Sequence, residues 1–134
     1  MPAAEALGLG LLPWSPLGRG LLTGKYRHST PGDSRGASPQ WAGFIDGLRS
    51  GKADRVVEAV ITAAEGLGTT PLGVAMAWLC DRPGVVAPIV GARTAQQLQA
   101  TLDADGVRLP PAIVTALDDV SSPPFSYPER RPDQ

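Results

Sequence analysis

The residues best equipped for chemistry stand together near the start of the chain, in Trp14-Ser15-Pro16-Leu17-Gly18-Arg19-Gly20-Leu21-Leu22-Thr23-Gly24-Lys25-Tyr26. They follow a short apolar run, Leu9 to Leu12, that reads as a buried strand opening into a polar loop. Glycine frees backbone amides there, Ser15 adds a hydroxyl, and Arg19 and Lys25 add positive charge. In a parallel α/β sheet, ligands bind past the carboxyl ends of the strands, so this composition points to an anionic ligand. Two phosphate motifs are excluded. A Walker A loop needs glycine where Arg19 stands and Ser or Thr where Tyr26 stands; Gly18, Gly20 and Gly24 miss G-x-G-x-x-G by one residue. On chemistry alone, a glycine-rich turn carrying two solvated cations remains an equal reading.

The elements that must position this stretch are legible from periodicity and punctuation. Ala3 to Leu7 reads as the last turns of a helix, and Leu9 to Trp14 as a strand apolar enough for burial on both faces. Pro13 has no amide to donate and belongs at the strand's end. Arg27 to Gly51 is rich in Gly, Pro and Ser, which suits either a structureless lid or disorder, with Trp41 and Phe44 available to anchor it. Asp54 to Leu67 is an amphipathic helix with Val56, Val60, Ala64 and Leu67 on one face. Thr70 and Pro71 start the next, which runs to Cys80 with Leu72, Ala75, Met76 and Leu79 inward. Met76 and Cys80 read as packing residues.

Val85 to Val90 is the second strand. Thr94-Ala-Gln-Gln97 has the form of a capping box, so a helix packed through Leu98 and Leu102 follows. Pro110 and Pro111 open a last helix with Ile113, Leu117 and Val120 in register. Residues 1–121 form one unit, and residues 122–134 a flexible, proline-rich tail. The pattern is α/β, with two strands set parallel by a right-handed crossover. Both outer strand edges would be unpaired.

Composition narrows the function. The chain has 134 residues, 43% hydrophobic and 19% charged, with a net charge of −1. That describes a globular chain with nothing to recommend a nucleic-acid or membrane partner. Cys80 is the sole cysteine, so no internal disulfide forms. With neither a signal peptide nor a membrane span in the sequence, the expected compartment is the cytoplasm.

Gly10 to Tyr26 resembles the seventh strand and following loop of the aldo/keto reductases. Val74-Ala-Met-Ala-Trp78-Leu, Arg82-Pro-Gly-Val and Pro88-Ile-Val-Gly-Ala-Arg93-Thr-Ala-Gln-Gln97-Leu resemble that family's seventh helix, eighth strand and eighth helix. The resemblance runs from about Ala3 to Ser121 and covers the C-terminal part of such an enzyme. It implies an incomplete (β/α)8 TIM barrel and an NADP(H) cofactor. Trp14 would lie near the nicotinamide; Ser15, Pro16, Leu17, Gly18 and Arg19 along the pyrophosphate, with Lys25 adding charge. Arg35 matches a lid residue, and Gly91 and Arg93 the turn that holds the adenosine phosphate. Arg93 suits a 2′-phosphate because a guanidinium pairs with it bidentately. Gln97 matches an adenine-side residue, though pairing with Thr94 in the capping box would explain it equally well. Many relatives carry Glu and Asn where Ala100 and Thr101 stand, which implies weaker adenine contacts.

The family's catalytic tyrosine, lysine, histidine and aspartate belong to earlier strands, so the resemblance assigns no catalytic residue here. His28 reads as an exposed loop residue, and neither Tyr26 nor Tyr127 has a sequence neighbour that marks it as an acid catalyst. The expectation is a C-terminal fragment of an NADP(H)-dependent aldo/keto reductase, an oxidoreductase that reduces aldehydes and ketones by hydride transfer. The fragment would contribute cofactor loops and be inactive alone, partnered by a missing N-terminal half. The alternatives are a non-catalytic nucleotide-binding module and a module that self-associates through its open strand edges.

Overall fold

The computed structural model describes residues 2–40, 42–48 and 51–123. The readings made for Trp41, Tyr127 and most of the tail fall outside these residues. Among the described residues six α-helices follow one another: α1 (Pro2–Ala6), α2 (Ala42–Leu48), α3 (Gly51–Leu67), α4 (Pro71–Cys80), α5 (Ala95–Asp103) and α6 (Pro111–Ser121). Short 3-10 turns at Gly18–Thr23, Arg35–Ala37 and Ala104–Gly106 link them.

The core is helical. α3 lies between α4 and α6, and Val60, Ala63, Ala64, Val74, Ala75 and Leu117 are buried where they meet. The sequence pattern puts Val57 and Ile61 beside the inner face of α3, and they are indeed buried. Leu67, expected inward, lies at the exposed end of the helix. Local signals set the helix starts. Thr70 is extended and its hydroxyl accepts from the Gly73 amide at 3.0 Å, with Pro71 at the first helical position. Leu72 and Leu79 are only half-buried; the buried residues of α4 are Gly73, Val74, Ala75 and Met76, of which Val74 and Ala75 join the cluster with α3. A polar clip joins α4 to α6. Asp118 accepts from Trp78 Nε1 at 2.7 Å and pairs with Arg82 at 2.9 and 3.0 Å, while the guanidinium lies 4.6 Å from the Trp78 ring centre.

The two expected strands are not formed as strands. Leu9–Trp14 and Val85–Val90 meet only at isolated parallel bridges, Leu11 with Val85 and Trp14 with Ile89. The direction agrees with the expected crossover; the ladder does not. The register slips by one residue between the bridges, and Pro13 and Pro88 have no amides to offer. Among the described residues no further segment pairs with either edge. The expected burial on both faces fails for the same reason: Leu12 is 58% exposed, Trp14 69% and Val86 71%. Leu98 and Leu102 of α5 are likewise exposed rather than packed.

The stretch from Arg27 to Gly51 is not structureless. The Ser34 amide donates to the Pro31 carbonyl at 2.9 Å, starting the turn that becomes Arg35–Ala37, and α2 follows. Between Pro31 and Ala37 the Gly, Pro and Ser content serves tight turns.

Candidate functional site

The glycine-rich loop is pinned from beneath. Leu21 and Tyr26 are buried against Val57 and Ile61 of α3, and Leu17 and Leu22 pack on the main core. Leu17, Leu21 and Leu22 thus anchor the loop, and Gly18, Arg19 and Gly20 between them are half-buried. The backbone between the anchors is irregular. Ser15 and Arg19 both adopt φ 58°, a left-handed conformation that costs a non-glycine residue about 1–2 kcal/mol. Such residues persist only where the surroundings hold them, and they gather at binding sites. Gly20, at φ 93°, takes a backbone conformation that favours glycine. The end of the Lys25 side chain folds back over it, with Cε 2.6 Å and Nζ 2.7 Å from where a Cβ would stand. The Thr23 hydroxyl closes the turn by donating to the Gly20 carbonyl at 2.8 Å.

This loop forms one wall of a cleft of about 430 Å³. The other wall comes from Ile89, Val90, Gly91 and Arg93 after the second bridged segment, with Gln97, Ala100 and Thr101 on α5 and Leu72 on α4. Of the residues singled out in the sequence, Trp14, Ser15, Pro16, Leu17, Arg19, Lys25, Gly91, Arg93 and Gln97 all line it. Gly18 does not line it, although it lies in the same loop at φ 55°. The backbone of Arg35 lies in its 3-10 turn, and its side chain, like that of Phe44, falls outside the described structure.

The charge of the cleft is one-sided. Arg19, Lys25 and Arg93 line it, and no Asp or Glu does so among the described residues, in a chain whose net charge is −1. The Arg19 guanidinium lies 5.4 Å from the centre of the exposed Trp14 ring, a cation–π arrangement that leaves a flat aromatic surface at the cleft mouth. Arg93 donates through Nη2 to the Asp33 carbonyl at 2.6 Å. Thr94 caps α5 by accepting from the Gln97 amide at 3.2 Å. The expected reciprocal bond is displaced by one residue, since Gln97 Oε1 accepts from the Arg93 amide at 2.9 Å. Gln97 therefore both caps the helix and shapes the turn that carries Arg93. Thr101 donates to the Gln97 carbonyl at 2.9 Å, so only its acceptor side remains for a ligand.

Pattern reading misses Leu72, Thr23 and Tyr26. Leu72 looks like any core position on α4, and Thr23 like any loop residue. Tyr26 is 2% exposed, and its Oη accepts from the Gly36 amide at 3.2 Å. Burial by itself would raise its pKa above 10.0; the nearby Ser34 hydroxyl, the Gly36 amide and Lys25 outweigh burial and lower it. Local sequence shows Tyr26 no partner that would lower a phenol's pKa; the fold corrects this, because Ser34 and Gly36 are brought to the hydroxyl and act together with Lys25.

The glycine amides expected to be free are engaged inside the loop: Gly18 N donates to the Ser15 carbonyl at 2.9 Å, Gly20 N to Leu17 at 2.9 Å and Gly24 N to Leu21 at 3.1 Å. The remaining features, separated cations beside an exposed indole, suit a ligand that combines phosphates with flat rings. An NADP(H)-type dinucleotide has that make-up, and the residues present fit it.

The comparisons with known proteins agree on the family. The aldo/keto reductase family model matches residues 1–122. The chain belongs to the aldo/keto reductase family, and so is part of a TIM-barrel fold. It is 36% identical over 120 residues to an uncharacterized oxidoreductase, YrpG, of Bacillus subtilis, across 90% of this chain and 34% of that protein. It is 34% identical over 131 residues to a probable voltage-gated potassium channel subunit beta of Arabidopsis thaliana, across 97% of this chain and 40% of that one. A rice protein of the same description is 32% identical over 123 residues. The chain thus spans between 34% and 40% of the length of these relatives. Among the described residues, no helix is long and apolar enough to cross a membrane.

Proposed function

We propose that this chain is the C-terminal segment of an NADP(H)-dependent aldo/keto reductase and supplies the loops that hold the cofactor. In this reading the bridged segments Leu9–Trp14 and Val85–Val90 are the seventh and eighth barrel strands. What carries it is the meeting of Ser15, Lys25 and Arg93 on one carboxylate-free cleft at the ends of those segments. Bound there, the dinucleotide would supply a hydride to an aldehyde or ketone in the cytoplasm. Trp14 would border the nicotinamide, the Ser15–Arg19 loop and Lys25 the pyrophosphate, and Arg93 the 2′-phosphate. Gly91 would shape the adenosine-phosphate turn, Gln97 the adenine side and Arg35 the lid. No residue here is assigned a catalytic role, and the segment alone is inactive as a reductase.

The test is titration of the chain with NADPH and NADH, followed by their own fluorescence. NADPH binds more tightly, and Arg93→Ala reduces that preference by about tenfold, as expected for loss of a charge-assisted pair. Adding the preceding segment of the Bacillus subtilis relative restores NADPH-dependent carbonyl reduction. A folded chain that binds neither nucleotide, and gains no turnover from the added segment, overturns the proposal. The exposed apolar side chains of the bridged segments favour a second reading, a self-associating module without catalysis. A stable dimer indifferent to the added segment supports that one instead.

A further inference from the structure

The segment from Thr30 to Ala37 crosses from Tyr26 to the far wall of the cleft. Its Gly36 amide donates to Tyr26 Oη in a buried bond of 3.2 Å. A Cβ on Gly36 would lie 2.8 Å from Tyr26 Cε1 and 3.0 Å from Thr30 Cγ2, so the backbone lies directly on the ring. The turn is closed by Ser34 N to the Pro31 carbonyl at 2.9 Å and Ala37 N to the Ser34 carbonyl at 3.2 Å, with Ser34 buried beneath it. Between these ties, the Asp33 carbonyl projects outward and accepts from Arg93 Nη2 at 2.6 Å. A hydroxyl buried against α3 is thereby linked to a cation on the cleft wall.

We propose that Tyr26 is a positioning residue for the anion site: by tying down Gly36 it fixes the Asp33 carbonyl, which in turn fixes the guanidinium of Arg93. The inference rests on the reading of the cleft as a dinucleotide site. The chemistry favours preorganisation over competition. A guanidinium has five N–H donors, the carbonyl uses one, and a neutral oxygen cancels none of the charge. An arginine already held in place gives up less side-chain entropy when a phosphate arrives. The ligand feature it serves is a phosphate on the ribose near Arg93, not the nucleotide as a whole.

The test compares the unsubstituted chain with Tyr26→Phe, which removes one oxygen, and with Gly36→Ala, which pushes the same turn off the ring. Adenosine 2′,5′-bisphosphate and adenosine 5′-monophosphate are titrated by calorimetry. Amide exchange at Gly36 and the Arg93 guanidinium resonances are followed by NMR. In both variants the amide at position 36 exchanges faster and the Arg93 guanidinium rotates freely. The bisphosphate binds about tenfold more weakly while the monophosphate changes by less than about twofold, the scale of one hydrogen bond lost at a distance. Equal losses for both nucleotides, tighter bisphosphate binding, or an unchanged Arg93 signal overturns the inference. If the unsubstituted chain binds neither nucleotide, the dinucleotide reading falls, and the Arg93 resonances alone decide whether Tyr26 anchors it.

Discussion

Single residues change meaning once their neighbours are known, and Cys80 is a clear case. Its place on α4 suggests a packed thiol, yet it ends the helix exposed. Partial burial of the sulfur, and then the nearby Asp105 carboxylate, raise its pKa above 9.0. Only the thiolate is a nucleophile, so a raised pKa slows its reactions near neutrality. Alkylation by iodoacetamide at about pH 8 is expected to be slower at Cys80 than for free cysteine, and Asp105→Asn is expected to speed it. A rate matching the free amino acid would remove the electrostatic account. Tyr26 shows the opposite change, from a residue with one charged neighbour to the post under a turn.

Among the elements, α3 to α6 are legible in the sequence, whereas α2 and the absence of strand ladders are not. The starts of α4 and α5 follow from Thr70 and Thr94, whose hydroxyls do in the structure what their place before each helix predicts. The difference is that α4 also has a buried face and α5 has no buried residue. The Asp118 clip, which joins α4 to α6, is invisible in sequence because its partners are far apart in the chain. Asp118→Ala is expected to cost about 1–2 kcal/mol, since the carboxylate is half-exposed but accepts from both Trp78 and Arg82. Urea unfolding followed by far-UV circular dichroism measures it. An unchanged midpoint would mean the clip only decorates a contact made by Leu117 and its neighbours.

On the scale of the whole molecule, the conspicuous feature is the apolar surface along the bridged segments: Leu9, Leu12, Trp14, Val86 and Ile89 are all exposed. Such a surface is a contact face or an aggregation liability. Unpaired strand edges carry the same risk. The chain is expected to bind an apolar fluorescent dye strongly and to associate as its concentration rises. The pair Leu12→Lys and Val86→Lys should cut both effects several-fold while leaving the helical signal intact, because neither residue belongs to the α3–α4–α6 core. Loss of the helical signal in that variant would show that the bridged segments hold the helices together.

Sequence by itself determined what depends on near neighbours: the starts of α4, α5 and α6, the parallel direction of the two bridged segments, and the family motifs with most of the residues that line the cleft. Hydrophobic period, capping and turn chemistry act over a few residues, so one stretch of chain contains all the information they need. Tertiary structure alone decided whether the apolar runs became strands, which faces stayed exposed, and how Arg93 and Tyr26 are held. A ladder needs a partner strand held in register, and a guanidinium's position depends on a carbonyl brought from a distant loop. Those are properties of which segments meet, and no single segment records them.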